Sequence, residues 1–210
     1  MSWLRRAGRP SPEPAAQPDE ESLPDATEAA APGVASLFEG VSEDRSHAVL
    51  DLGAATPSSL GVYSRFARQI RFADLTGQLD SQQGWRSAAE VLDAIPYQPG
   101  HPYDLIFAWD VLDRLLPEYH APVVARLAEV TGPAARLHVV ARAFEAATTQ
   151  PLRFALLDTN RMRHEAAGAP VPTQPLLLPA RIAQLLAPFR VVHGFTLKGG
   201  LREYVAIRKN

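Results

Sequence analysis

Between His47 and Pro57 the chain reads HAVLDLGAATP. Four apolar residues, Ala48, Val49, Leu50 and Leu52, surround one acid, Asp51, and the run stops at Gly53. This is the pattern of a buried strand that ends in a glycine turn, where the missing Cβ permits positive φ or a close approach. A helix-compatible segment, residues 57–68, follows at once. Thr56 before Pro57 is a start signal, because threonine caps and proline suits the first helical position. A second β run, residues 69–74, ends in another acid, Asp74. Strand, glycine turn, helix, strand, acid is the order in which a parallel βαβ unit builds a nucleoside pocket. The turn brings bare backbone to the ligand, and the second acid can accept both hydroxyls of a ribose.

The same alternation of elements continues. Residues 81–94 read as helix, 103–109 as a strand, and 117–131 as an amphipathic helix ended by Gly132-Pro133. Residues 136–141 form a strand apolar enough for burial on both faces. Residues 142–178 read as a long irregular insert, locally basic through Arg142, Arg153, Arg161 and Arg163. Residues 179–186 read as a helix. Two last β runs, 189–197 and 202–208, are split by Lys198-Gly199-Gly200-Leu201, a hairpin signal. Upstream, residues 34–41 predict a short docked helix. No clear β run lies between Asp74 and Tyr103.

Asp51-Leu52-Gly53, the acid Asp74, the stretch Tyr103-Asp104-Leu105-Ile106-Phe107-Ala108-Trp109-Asp110-Val111-Leu112-Asp113-Arg114-Leu115 and the C-terminal residues 189–208 together resemble class I S-adenosylmethionine-dependent methyltransferases. The resemblance spans residues 34–210. It implies an α/β fold with a Rossmann-like three-layer sheet. That sheet is mostly parallel, carries an antiparallel C-terminal hairpin, and has its third strand short or missing. It implies S-adenosylmethionine as cofactor and an unidentified methyl acceptor as partner.

Residue by residue, the resemblance puts Asp51 under the methionine amino group. It puts Gly53, Ala54 and Ala55 in the turn beside the cofactor, Asp74 on the ribose, and Trp109 and Asp110 at the pocket's edge. The motif is degenerate: Ala55 and Pro57 stand where the family has glycines. Pro57 also removes a backbone donor from the helix start, leaving the side chains of Thr56, Ser58 and Ser59 as replacements. Other roles stay open. Asp51 can cap the turn, Asp74 can be a plain loop acid, Trp109 can pack in the core, and Asp110 can cap the next helix. Asp93 reads as a solvent-facing helix acid. No catalytic residue is implied, because the sulfonium is already activated and positioning supplies the acceleration. Two rivals remain: a catalytically inactive methyltransferase-like binding or scaffold module, and a nicotinamide-dependent oxidoreductase, whose Gly-x-Gly-x-x-Gly the turn lacks.

Composition narrows the field. The 210 residues carry a net charge of −2, so no general basic field draws in nucleic acid. There is no cysteine, which excludes disulfides and thiolate chemistry. The six histidines show no ligand spacing, so no metal site is expected. No stretch is long and apolar enough to span a bilayer, and a cytoplasmic location is expected. Residues 1–31, rich in Pro, Ala and acids, read as a disordered tail that the fold can lose; residues 32–210 read as the domain.

Overall fold

A computed structural model describes residues 26–80, 85 and 87–209. In chain order the elements are β1 (Thr27–Ala30), α1 (Pro32–Phe38), β2 (His47–Asp51), α2 (Pro57–Tyr63), β3 (Ala67–Phe72), α3 (Leu75–Asp80), α4 (Ala88–Ala94), β4 (Tyr103–Phe107), α5 (Val111–Arg114), α6 (Pro117–Glu129), β5 (Thr131–Arg142), β6 (Thr148–Thr149), β7 (Leu152–Asp158), β8 (Arg161–Ala166), β9 (Val171–Pro172), α7 (Pro179–Leu185), β10 (Phe189–Thr196) and β11 (Leu201–Arg208).

Successive side chains on a strand point to opposite faces, and here both faces are buried. Leu50, Ile106, Leu137 and Ala206 join one apolar cluster with residues of α4, α5, α6 and α7. Val49, Leu105, Val140 and Val205 join a second cluster with residues of α1 and α2. The central sheet runs β10-β11-β5-β4-β2-β3. The pairs β2–β3, β2–β4 and β4–β5 are parallel, while β5–β11 and β10–β11 are antiparallel. This is a Rossmann-like three-layer fold with an antiparallel C-terminal hairpin. The chain steps from β2 to β3 on one side and returns to β4 on the other, so the strand order reverses between β2 and β4. Open sheets of this kind bind ligands outside the carboxyl ends of the strands at that reversal. Among the described residues no strand lies between Phe72 and Tyr103, and β3 forms that edge of the sheet.

Three expectations need correction. Helix α2 stops at Tyr63 and β3 already begins at Ala67, because Phe66 and Ala67 are buried and draw the chain into the sheet. The segment 142–178 is not irregular. Leu152, Phe154 and Leu156 alternate with less apolar residues, and β7 pairs with β8 around Thr159-Asn160. Nor are the last residues of the expected tail disordered. Thr27–Ala30 adds to β8 as a third strand, Arg161 pairs with Glu28 at 2.5 Å, and Ala31 is fully buried. The rest of the expected tail, residues 1–25, lies outside the described residues, as does part of the helix expected at 81–94 (residues 81–84 and 86). Helix α4 covers only the end of that span.

The strand β1 and Ala31 therefore contribute to stability. A protein lacking residues 1–31 should melt about 3–6 °C below one lacking residues 1–25, as a loss of about 1–2 kcal/mol gives in a domain of this size. Equal melting temperatures would show that β1 adds nothing.

Candidate functional site

The carboxyl tips of β2 and β3 stay joined beyond their strands. Ala73, Asp74 and Leu75 donate their backbone N–H groups to the carbonyls of Asp51, Gly53 and Leu52 at 2.8, 3.2 and 2.8 Å. The two acids read from the sequence thus sit on adjoining turns at the edge where the strand order reverses. Their carboxylates have different fates.

Asp51 is 1% exposed. One of its oxygens, Oδ1, accepts from Gly53 N–H at 2.7 Å and from the Trp109 indole N–H at 2.6 Å. The other, Oδ2, accepts from the Tyr63 hydroxyl at 2.6 Å. The capping role is therefore realised, with two side-chain donors added. Burial pushes the Asp51 carboxyl up to about 6, against the opposing pull of its Tyr63, Gly53 and Trp109 hydrogen bonds and of His138. Burial and the adjacent Asp51 in turn push the Tyr63 phenol well up.

Trp109 owes its position to a left-handed backbone, with φ of 45°. Its indole lies against Gly53: a Cβ there would fall 2.9 Å from Trp109 Cδ1. Glycine is needed at this turn, but to admit the protein's own indole. The indole also stacks on Phe154 of β7, with ring centroids 5.3 Å apart and planes within 3°. The same strand is fastened to α2, where Leu156 N–H donates to Ser59 Oγ at 2.9 Å. Ser59, a candidate replacement donor, is thus engaged by β7. Thr56 caps α2 by accepting from Ser59 N–H at 3.1 Å, as its place before Pro57 predicts. Ala54 is half-buried, and Ala55 is exposed at the tip of the turn.

Asp74 is exposed and has φ of 45°. Its Oδ1 accepts from Gly77 N–H at 3.1 Å, the first turn of α3. Among the described residues Oδ2 takes no protein donor. Asp110 is buried and precedes α5, but its side chain makes no cap bond; Arg114 lies 3.9 Å away. Asp93 is exposed on α4. Among the described residues no group of three or more His, Cys, Asp or Glu is placed to hold a metal.

Sequence reasoning misses the closure over the turn. Nothing local marks Tyr63, Phe154 and Ser59 as partners of Asp51, Trp109 and β7. The alternation Leu152, Phe154, Leu156 is the available signal. Also missed is the buried pair behind Trp109. His138 and Glu203, both fully buried, meet at 2.8 Å, and the other Glu203 oxygen accepts from Gly33 N–H at 2.8 Å. Arg153 of the basic insert pairs with Glu165 at 3.8 Å, while Asp158 pairs with Arg65 of the α2–β3 turn at 3.1 Å.

No protein-family model matches this chain, and no curated protein matches it. Solved structures do. One is a 1,6-didemethyltoxoflavin-N1-methyltransferase from Burkholderia thailandensis with bound S-adenosylhomocysteine, at 17% identity and a TM-score of 0.49 over 85% of this chain and 77% of that one. Another is the CcbJ methyltransferase from Streptomyces caelestis, at 12% identity and 0.48 over 85% and 90%. A third is the magnesium protoporphyrin IX methyltransferase of Synechocystis PCC 6803 with bound S-adenosylhomocysteine, at 14% identity and 0.47 over 85% and 81%. All three scores lie below 0.5, so the fold rests on the chain's own strand order.

The Asp51 environment predicts a pH dependence. An ordinary Asp value of 3.8 rises to about 6 in the folded protein, so folding favours the protonated form. That advantage is full below about pH 4 and is lost as the pH rises through 6. Asp51→Asn keeps an acceptor for Gly53 and Trp109 and carries no charge. The stability of wild type minus that of Asp51→Asn, from urea unfolding, should fall by roughly 2 kcal/mol between pH 4 and 7. A difference that stays flat across that range would sink this account.

Proposed function

We propose that the chain transfers a methyl group from S-adenosylmethionine to an acceptor not yet identified. The observation that carries this reading is the pair of adjoining turns, Asp51-Leu52-Gly53 and Asp74, at the reversal point of a Rossmann-like sheet. The ribose end of the ligand fits the residues present. Asp74 is exposed and accepts from Gly77 through one oxygen, and among the described residues the other takes no protein donor. A carboxylate so placed makes charge-assisted bonds to a diol. The methionine end does not fit beside Gly53 as the side chains stand, because Trp109 lies there and both Asp51 oxygens are engaged. When bound, the cofactor would supply an activated methyl on its sulfonium. The chain's task would be to hold the ribose at Asp74, give way at Trp109 and keep water out, with no acid or base required. The reading carries a cytoplasmic location with it. Among the described residues no helix is long and apolar enough to cross a membrane.

A second reading is favoured by that same closure: a methyltransferase-like module that has lost the cofactor and serves binding or scaffolding. Calorimetric titration with S-adenosylmethionine, S-adenosylhomocysteine and NAD separates the two. The lead reading expects heat with the first two and none with NAD. No heat from any of them at millimolar ligand leaves the inactive module.

Asp74→Asn is the informative variant. Asparagine tolerates a left-handed backbone and can still accept from Gly77, so the cap survives. The negative charge on the ribose side is lost. S-adenosylmethionine should bind about tenfold more weakly, the equivalent of about 1.4 kcal/mol, while the melting temperature moves by less than about 2 °C. Unchanged affinity would remove Asp74 from the site.

A further inference from the structure

The closure over the Gly53 turn has the form of a separate part. The strands β1, β8 and β7 make a three-stranded sheet of their own, outside the central sheet. The β7–β8 hairpin leaves and rejoins the fold through neighbouring connectors, tied by Ala167 N–H to Pro151 O at 2.9 Å and by the two-residue ladder β6–β9. The hairpin buries Phe154, Leu156 and Met162 in the apolar cluster that also holds Trp109 and residues of α1 and α2, and it makes further contacts besides. Phe154 stacks on Trp109, Leu156 N–H bonds Ser59 Oγ, and Asp158 pairs with Arg65 on the surface. Behind Phe154, Trp109 is held by Asp51, itself held by Tyr63. Of these contacts, the first two lie directly over the turn and the start of α2.

We infer that the β1–β8–β7 sheet is a lid, and that Phe154 stacked on Trp109 keeps the nucleoside site closed until a ligand displaces the pair. The inference rests on the methyl-transfer reading above and adds its regulation. A closed majority state lowers the apparent affinity by the fraction of molecules that are open. Weakening the latch must therefore tighten binding, whereas removing a ligand contact weakens it.

Two variants test this. Phe154→Ala removes the stacked ring. Ser59→Ala removes only the hydroxyl that fastens Leu156 and serves if the first variant folds poorly. The first readout needs no ligand. Amide hydrogen exchange in either variant should speed up at least tenfold in residues 152–166 and at Gly53, with β4 and β5 unchanged. Faster exchange throughout the central sheet would show that Phe154 is ordinary core, and it would overturn the lid. The second readout is titration with S-adenosylmethionine. Either variant should bind at least fivefold more tightly than wild type, or bind where wild type does not. Equal or weaker binding by the variants overturns the lid and leaves the methyl-transfer reading standing. A local opening by exchange, with no binding by wild type or variant at millimolar ligand, overturns the methyl-transfer reading, and with it the lid's regulatory role.

Discussion

The carboxylate of Asp51 is the interaction on which the region around it depends. It lies at the end of β2 and accepts from a turn, from α2 through Tyr63, and from the segment after β4 through Trp109. A carboxylate without water carries a high desolvation cost, and only several well-aimed donors offset it. Each donor is therefore fixed by the same atom pair. Moving any one of them strands a buried charge or leaves a buried N–H or O–H unpaired. The constraint extends sideways. Asp51 and His138 both pair in register with Phe107, and His138 hands on to Glu203. An interrupted polar row thus runs from Asp51 on β2 to His138 on β5 and Glu203 on β11, with the Phe107 ring of β4 between the first two, on the face shared with α1 and α2.

That row gives the glycine turn a different purpose. In a working nucleotide turn, the absent Cβ makes room for a ligand. Here the room is taken by the indole of Trp109, whose own left-handed backbone costs energy that the hydrogen bond to Asp51 and the stack on Phe154 offset. The two adjoining turns are unlike in consequence. Around Asp51 both oxygens are satisfied and dry. Around Asp74 the carboxylate is exposed, and among the described residues only one of its oxygens accepts a hydrogen bond.

Much of the fold was legible in the chain because the central strands are buried on both sides. Runs such as Ala48 to Leu52 and Leu137 to Ala141 have no reading in a compact domain except as inner strands, and Gly199-Gly200 marks the hairpin between β10 and β11. The small sheet was not legible, since β1 is four residues of Thr, Glu and Ala whose partner lies more than a hundred residues downstream. No local period reports a pairing of that range. At the site, the positions of Asp51, Gly53 and Asp74 followed from the βαβ order. Their partners did not. Which way Trp109 turns is decided by one backbone angle, and what meets it is decided by a hairpin from a distant part of the chain. Asp110 shows the same limit: a residue in a good capping position uses its buried side chain otherwise.

The junction between Glu203 and Gly33 joins residues 170 positions apart. Glu203 sits on β11, the last strand, which is also the piece that separates β5 from β10. During synthesis α1 leaves the ribosome long before β11 and must wait 170 residues from Gly33 before its Glu203 anchor exists. Strand β1 waits likewise for β8. The first helix is therefore among the last elements to settle. A nascent chain stalled short of β11 holds an apolar helix with part of its seat missing, the kind of exposed surface on which chaperones act.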